Sequence, residues 1–259
     1  MAYLFDDGSS QYLQIDQAVV TDVPFTMACF AYGDTDTATF MTAGFVGDKD
    51  AATEYHAIGV HWGETGNPTF ALSYSALIGF RLAYSTTGVT VNTWHHLCGI
   101  FASSTDRRAF IDGGSRGNNT SDVSPLNLDR TGISGSQDST PGFYWSGNIA
   151  EFAIWNVALT DVEVAILAKG YSPLLVRPQN LVSYWPLVRD SRDIVGNYNL
   201  TAYNSPTVVS HPRVFYPTRP FYSQIASAIA IKSVSSVSWA SVKQVSSIAK
   251  ANIKKISGV

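Results

Sequence analysis

Cysteine, charge and long apolar runs are all scarce in this chain, and each scarcity closes off a class of protein. Two cysteines, Cys29 and Cys98, occur in 259 residues, too few to staple a chain of this length into a disulfide scaffold. Both sit inside apolar stretches, where a thiol pKa rises. Buried free thiols are therefore expected, ahead of a disulfide or a reactive nucleophile. No uninterrupted apolar run reaches the length of a membrane span. The opening MAYLFDDGSS lacks the basic-then-apolar pattern of a secretory leader. Synthesis and folding in a cytoplasm, without export, are expected.

Acidic residues are missing altogether from Phe221 to Val259, where five lysines give a charge of +5. The rest of the chain holds 12 basic and all 20 acidic residues, or −8, so the formal net charge of −3 joins two parts of opposite sign. Such parts suit different partners. Charged residues make up only 14 % of the chain and aromatic ones 12 %, with frequent glycine. That balance fits sheet packed on sheet with many turns. The length suits one sandwich of roughly 200 residues with an appendage.

Three segments carry the fold signal. TWHHLCGIFAS, Thr93 to Ser103, alternates large apolar with small or polar residues, as a strand with one buried face does. RRAFIDGG, Arg107 to Gly114, is a strand running into Asp112-Gly113, a dipeptide that takes positive φ at little cost and reverses the chain. GNIAEFAIWNVALTDVEVAILAKG, Gly147 to Gly170, is a strand followed by one short helix near Thr160 to Lys169. Thr160 and Glu163 form a capping box, Val162, Ile166 and Leu167 form an apolar stripe, and Gly170 ends the helix.

In that order the segments resemble the laminin-G-like branch of the concanavalin-A-like lectin/glucanase superfamily. Trp94 and His96, Phe110 to Gly113, and Gly147 to Trp155 occupy the family's pattern, and YLFDDGSSQYLQI with PFTMACFAY resembles its opening strands. The resemblance implies an all-β, concanavalin-A-like jelly-roll sandwich with one short helix. LVSYWPL, Leu181 to Leu187, resembles a strand that usually comes first in such domains. Because sandwich termini lie close together, it can fill the same slot from the other end. Residues 1–213 are thus expected to form the sandwich, with 181–213 closing it. A Pro/aromatic connector follows at 214–222, then a repetitive arm at 223–259.

The arm has a period of eleven. IKSVSSV, VKQVSSI and IKKISGV align Ile231, Val242 and Ile253; Lys232, Lys243 and Lys254; and Val234, Val245 and Ile256. Ser and β-branched residues argue against helix, so short β segments are expected. Three short units bury little alone, which calls for a partner surface or copies from neighbouring subunits.

Catalysis finds little support. Glucanases of this scaffold use paired carboxylates, and Glu151 has only Ala153, Trp155 and Ile149 as expected same-face neighbours. It is expected to cap a turn or accept backbone hydrogen bonds. No Gly-x-Ser-x-Gly elbow is present. His95 and His96 are adjacent, so on a strand they face opposite ways and cannot chelate one ion. Calcium, which some relatives bind through loop carboxylates, could use Asp34 and Asp36 in GDTDT, or Asp48 and Asp50 in GDKD. Carbohydrate needs exposed aromatics beside polar loops. Trp62, Tyr144 and Trp145 are the candidates, with core or interface packing ranked ahead of sugar binding for both indoles. Trp94, Trp155 and Trp185 fall at core positions.

Laminin-G-like domains with no leader and a repetitive tail look like accessory structural proteins of tailed bacteriophages. The leading expectation is a non-enzymatic structural or decoration component of a virus particle, a homo-oligomer whose arm docks among other virion proteins. The alternative is a glycan-binding module multimerised by its arm. An amphipathic, membrane-surface role for the arm ranks below these. No aromatic or arginine platform supports nucleic-acid binding.

Overall fold

In the computed structural model the described residues are 2–34 and 40–216, with two dipeptide strands beyond them. The strands in chain order are β1 (Ala2–Phe5), β2 (Tyr12–Ile15), β3 (Phe25–Gly33), β4 (Phe40–Gly47), β5 (Tyr55–His61), β6 (Pro68–Ser75) and β7 (Gly79–Gly88). There follow β8 (Trp94–Ser103), β9 (Asp106–Ile111), β10 (Gly114–Asn119), β11 (Arg130–Ile133), β12 (Gly147–Trp155), β13 (Leu181–Trp185), β14 (Thr201–Tyr203) and β15 (Thr207–Val209). One sheet runs β10-β9-β8-β3-β12-β1-β15, with β13 also on β12; the other runs β14-β2-β11-β4-β5-β6-β7. This is the all-β jelly-roll sandwich that the sequence pattern implies. Its closing segment works as an insert: β1 pairs with Gly147–Ile149 of β12, and β13 pairs with Phe152–Trp155 of the same strand.

The chain divides into two units, Met1–Pro217 and Thr218–Val259. Of the second, only the antiparallel pair Gln244–Val245 with Ile248–Ala249 is described. The arm positions Ile231, Lys232, Val234, Val242, Lys243, Ile253, Lys254 and Ile256 lie outside the described residues, as does the side chain of Val245. No helix among the described residues is long and apolar enough to cross a membrane.

Apolar side chains from both sheets fill the space between them, including Phe25, Met27, Met41, Phe101, Phe152 and Trp185. A second cluster lies on the outer face of the β3/β8/β12 sheet, under the one α-helix, α1 (Asp161–Ala168). The capping box forms as the sequence predicts: Glu163 N donates to Thr160 Oγ1 at 3.4 Å, and Thr160 N donates to Glu163 Oε2 at 2.8 Å. Gly170 ends the helix at φ +87°. The apolar stripe is shifted from the expected one. Val164 and Leu167, three apart and so on one face, point at the sheet, and Val162 is 70 % exposed.

The Asp112-Gly113 reversal takes φ +51° and +75°. A Cβ on Gly113 would sit 2.7 Å from Ala165 Cα, so helix and turn pack directly. At the far edge, a Cβ on Gly117 of β10 would sit 1.5 Å from the Tyr84 carbonyl oxygen of β7. Asn119 Nδ2 donates to Leu82 O at 2.9 Å across the same seam, which closes one side of the sandwich. Cys29 and Cys98 are free and buried on opposite faces of their sheet, and burial pushes both thiols well up.

Two histidines are sealed in apolar surroundings. His56 lies edge-on to Phe25 and Phe101 at 5.0 and 4.8 Å and shares a 2.8 Å hydrogen bond with Ser73 Oγ. Burial, helped by Arg107, lowers its pKa to about 3; burial lowers that of His96 to about 4 against the pull of Asp112. The unfolded chain takes up these protons near pH 6.5, whereas the folded chain resists until much lower pH. Stability should therefore be full above pH ~6.5 and fall progressively toward pH ~3. His56→Asn should show a shallower fall in urea unfolding at stepped pH, the difference from the parent isolating the histidine from carboxylate effects. Separately, Gly113→Ala should cost about 1–3 kcal/mol. Its urea midpoint should drop with the slope unchanged.

Candidate functional site

The strands β4, β5, β6 and β7 alternate, and their outward positions carry large rings. Phe40 and Phe45 come from β4, Tyr55 from β5, Phe70 and Tyr74 from β6, and Phe80 and Tyr84 from β7. Their inward neighbours are smaller. Along β6, Ala71 joins the core, the Thr69 hydroxyl bonds the Phe110 carbonyl and Ser73 meets His56, while Phe70, Leu72 and Tyr74 face out. The result is a groove of about 250 Å³ on the free face of this sheet.

Polar groups enter the groove from one side. The loop between β11 and β12 crosses the sheet, tied by Thr42 N donating to Phe143 O at 2.9 Å and by the Ser136–Gly142 bridge. It brings Asp138, Thr140 and Phe143 to the rim. Asp138 is 5 % exposed, and Thr140 N donates to its Oδ1 at 2.8 Å. Burial raises the Asp138 carboxyl above the usual range despite those bonds and the nearby Arg130. Burial, reinforced by the Asp138 charge, pushes the Tyr55 hydroxyl up, so it remains a donor. Phe80 and Phe143 are 56 % and 52 % exposed, and Phe143 meets Phe40 edge-on at 6.0 Å. The groove thus offers flat apolar rings, hydroxyls and one carboxylate, the complement of a ring with an apolar face and a hydroxyl rim.

The expected sugar-binding residues lie elsewhere. Trp62 and Trp145 are each 1 % exposed and belong to the core between the sheets, so neither indole can offer a face to a ligand. Trp145 Nε1 donates to the Tyr32 carbonyl at 3.2 Å, whereas Trp62 Nε1 has no partner among the described residues. Tyr144 is half-buried at the end of a stack in which Tyr12 lies between it and Tyr203, at 6.0 and 4.7 Å. Trp155 and Trp185 are fully buried as expected, while Trp94 is only half-buried.

The candidate calcium ligands also part company. Asp34 Oδ1 accepts from Ser146 Oγ at 2.7 Å, tying the end of β3 to the start of β12, and Asp36 lies outside the described residues. Asp48 and Asp50 gather with Asp129, all within 4.8 Å. Lys49 Nζ stands 2.6 Å from Asp129 Oδ2 and 3.8 Å from Asp50 Oδ2, so an ammonium supplies the positive charge a cation would bring. The three carboxylates are hard oxygen donors of the kind calcium takes, and Lys49 competes with a cation for them.

Glu151 differs from its expected role. It sits at φ +56° in a bulge between Ala150 and Ala153, which breaks the alternation and turns Ile149 into the core. Ala153 and Trp155 remain on the outer face under the helix. Its carboxylate accepts from the hydroxyls of Tyr184 and of Tyr216 (2.7 Å), with His211 Nε2 at 3.0 Å, so side chains and not backbone satisfy it. His95 is likewise structural, holding Asp112 Oδ2 at 2.7 Å.

A two-layer jelly roll of this order defines a lectin-like sandwich domain by its fold. The chain belongs to the concanavalin A-like lectin/glucanases superfamily, whose laminin G family model matches residues 7–165. Solved structures share the fold. A candidate carbohydrate-binding protein of Bacteroides ovatus is 14 % identical over 80 % of this chain and 58 % of its own, with a TM-score of 0.54. A heptameric SAP-like pentraxin from Limulus polyphemus is 11 % identical over 79 % and 90 %, with a TM-score of 0.53. The CBM40 of a Ruminococcus gnavus IT-sialidase, bound to α2,3 sialyllactose, is 9 % identical over 58 % and 84 %, with a TM-score of 0.50. No curated protein sequence matches the chain.

Proposed function

We propose that the protein is a glycan-binding module, that the groove on the β4–β7 face is its binding site, and that the C-terminal arm multimerises it. The observation that carries this reading is the row of outward rings on a sheet face left open beside Asp138, Thr140 and Thr42. Sandwich relatives that bind sugars, in the Bacteroides and Ruminococcus examples, make the reading consistent with the fold. A decoration role on a virus particle draws on the pairing of a laminin-G-like domain with a repetitive tail and leaves the groove without a purpose. The groove therefore moves the glycan reading ahead of it.

Arm-driven assembly rests on the eleven-residue period, because the recurring Ile/Val positions need burial that three short units cannot supply. Light scattering after size exclusion should give a defined oligomer for the full chain and a folded monomer for a version ending at Phe221. A monomer in both cases would remove the arm as the assembly element.

Glycan-array screening of the full chain followed by titration calorimetry tests the site itself. Phe80→Ala and Phe143→Ala should each weaken binding about tenfold, or about 1.4 kcal/mol. Both rings are more than half exposed, so the melting temperature should stay unchanged. Unaltered affinity in both variants would move the site away from this groove.

A further inference from the structure

The groove is uniform in one respect: among the described residues Asp138 is the only charged one in its lining. The carboxylate is held from one side, since Thr140 N and Oγ1 both donate to Oδ1, at 2.8 and 3.3 Å. Among the described residues nothing donates to Oδ2. The nearest cation is committed elsewhere. Arg130 directs Nε to Asp16 Oδ1 at 2.8 Å and Nη1 to the Gln137 carbonyl at 2.7 Å. A nine-tenths-buried carboxylate that lines a groove of aromatic rings and keeps one oxygen without a donor can take a hydrogen bond from a ligand, and on the glycan reading that donor is a sugar hydroxyl.

Resting on the glycan-binding reading above, we infer that the groove selects uncharged sugars and that Asp138 sets the selection. Its Oδ2 accepts hydrogen bonds from ligand hydroxyls. Its negative charge, in a site with no Arg or Lys among the described lining residues, disfavours sugars that carry a carboxylate. An acidic sugar would bring a second anion beside Asp138 with no counter-charge in that lining, the arrangement binding sites avoid by supplying a guanidinium. The fold itself does not dictate this choice: the Ruminococcus CBM40 with the same architecture is bound to sialyllactose.

The test is an array of matched neutral and acidic oligosaccharides probed with the full chain, with titration calorimetry on the members that bind. Suitable neutral probes are lactose, chitotriose and xylotriose; suitable acidic ones are 3′-sialyllactose and trigalacturonate. The parent protein should bind neutral members at least about tenfold more tightly than acidic ones. Asp138→Asn keeps the shape and the acceptor for Thr140 N. It should weaken the neutral ligands about tenfold and narrow the gap to the acidic ones. Equal binding of neutral and acidic members, lost together in Phe80→Ala, would overturn the selection while leaving the glycan site in place. A neutral preference that survives Asp138→Asn unchanged would overturn the role of Asp138. Silence across the whole array for the parent would overturn both this inference and the function on which it rests.

Discussion

Both sheets of this sandwich are apolar on both faces, and the whole molecule follows from how each face finds cover. Two inner faces cover each other. The outer face of the β3/β8/β12 sheet, carrying Ile100, Phe110 and Trp155, is roofed by α1 and the residues after it, with Val164, Leu167 and Val176 packed down. Among the described residues the outer face of the β4–β7 sheet has no such roof. Its rings cover one another in part, the β11–β12 loop shields one flank, and a groove remains. A globular chain seldom leaves large rings in that state without a use for them. The open groove is thus the product of an asymmetry: one outer face received a helix and the other did not.

Buried charge is distributed with the same economy. Asp193 accepts from Ser183 Oγ and from the backbone N–H of Tyr184, Val195, Gly196 and Tyr198, at 2.7 to 3.0 Å, which fixes the segment that closes the sandwich. Arg107, fully buried, donates to Asn119 Oδ1 and to the Ser104 and Ser121 carbonyls at the edge seam. Burial lowers its pKa to about 10, still far above neutrality, so the charge persists. Glu151 binds the connector through Tyr216 and His211. Each is saturated or nearly so by the fold, as buried ions must be. Asp138 differs because its remaining hydrogen-bonding capacity points into a groove.

Much of the fold was legible because its signals are local. The Asp112-Gly113 reversal and the Thr160/Glu163 cap each depend on a few neighbouring residues, and each appears where the sequence places it. β8 forms where expected but is buried on both faces, with Leu97 and Phe101 between the sheets and Cys98 and Ile100 on the helix side. The candidate site was not legible, for a physical reason visible in β6. Phe70, Leu72 and Tyr74 alternate with Thr69, Ala71 and Ser73, a pattern that ordinarily sends the large residues inward. Here the core is already full. A Cβ on Gly99 would come 3.2 Å from Ala71 Cβ, so the facing sheet leaves room at that position only for small residues. Period two tells which residues share a face but not which face is inside. Turn-like flanks made Trp62 and Trp145 candidates for a ligand, but such flanks do not keep an indole out of the core, and both take the packing role ranked ahead of sugar binding. At Glu151 one bulge residue, invisible in the pattern, reset the alternation for Ile149.

The size of the groove connects the sandwich to the arm. At about 250 Å³ it is smaller than the roughly 300–1,000 Å³ of pockets that engulf a ligand, so most of any sugar chain would stay in water. Contacts to one or two rings, with hydroxyls exchanged for water at little net gain, make a single site weak by nature. Weak sites on a sheet face become useful when several are carried together. Linking them turns later binding events into intramolecular ones and raises avidity by about 10²–10⁴ without any new contact. A repetitive segment whose apolar positions need copies of themselves is the kind of element that supplies such linkage. The shallow groove and the repeated arm therefore make physical sense as a pair.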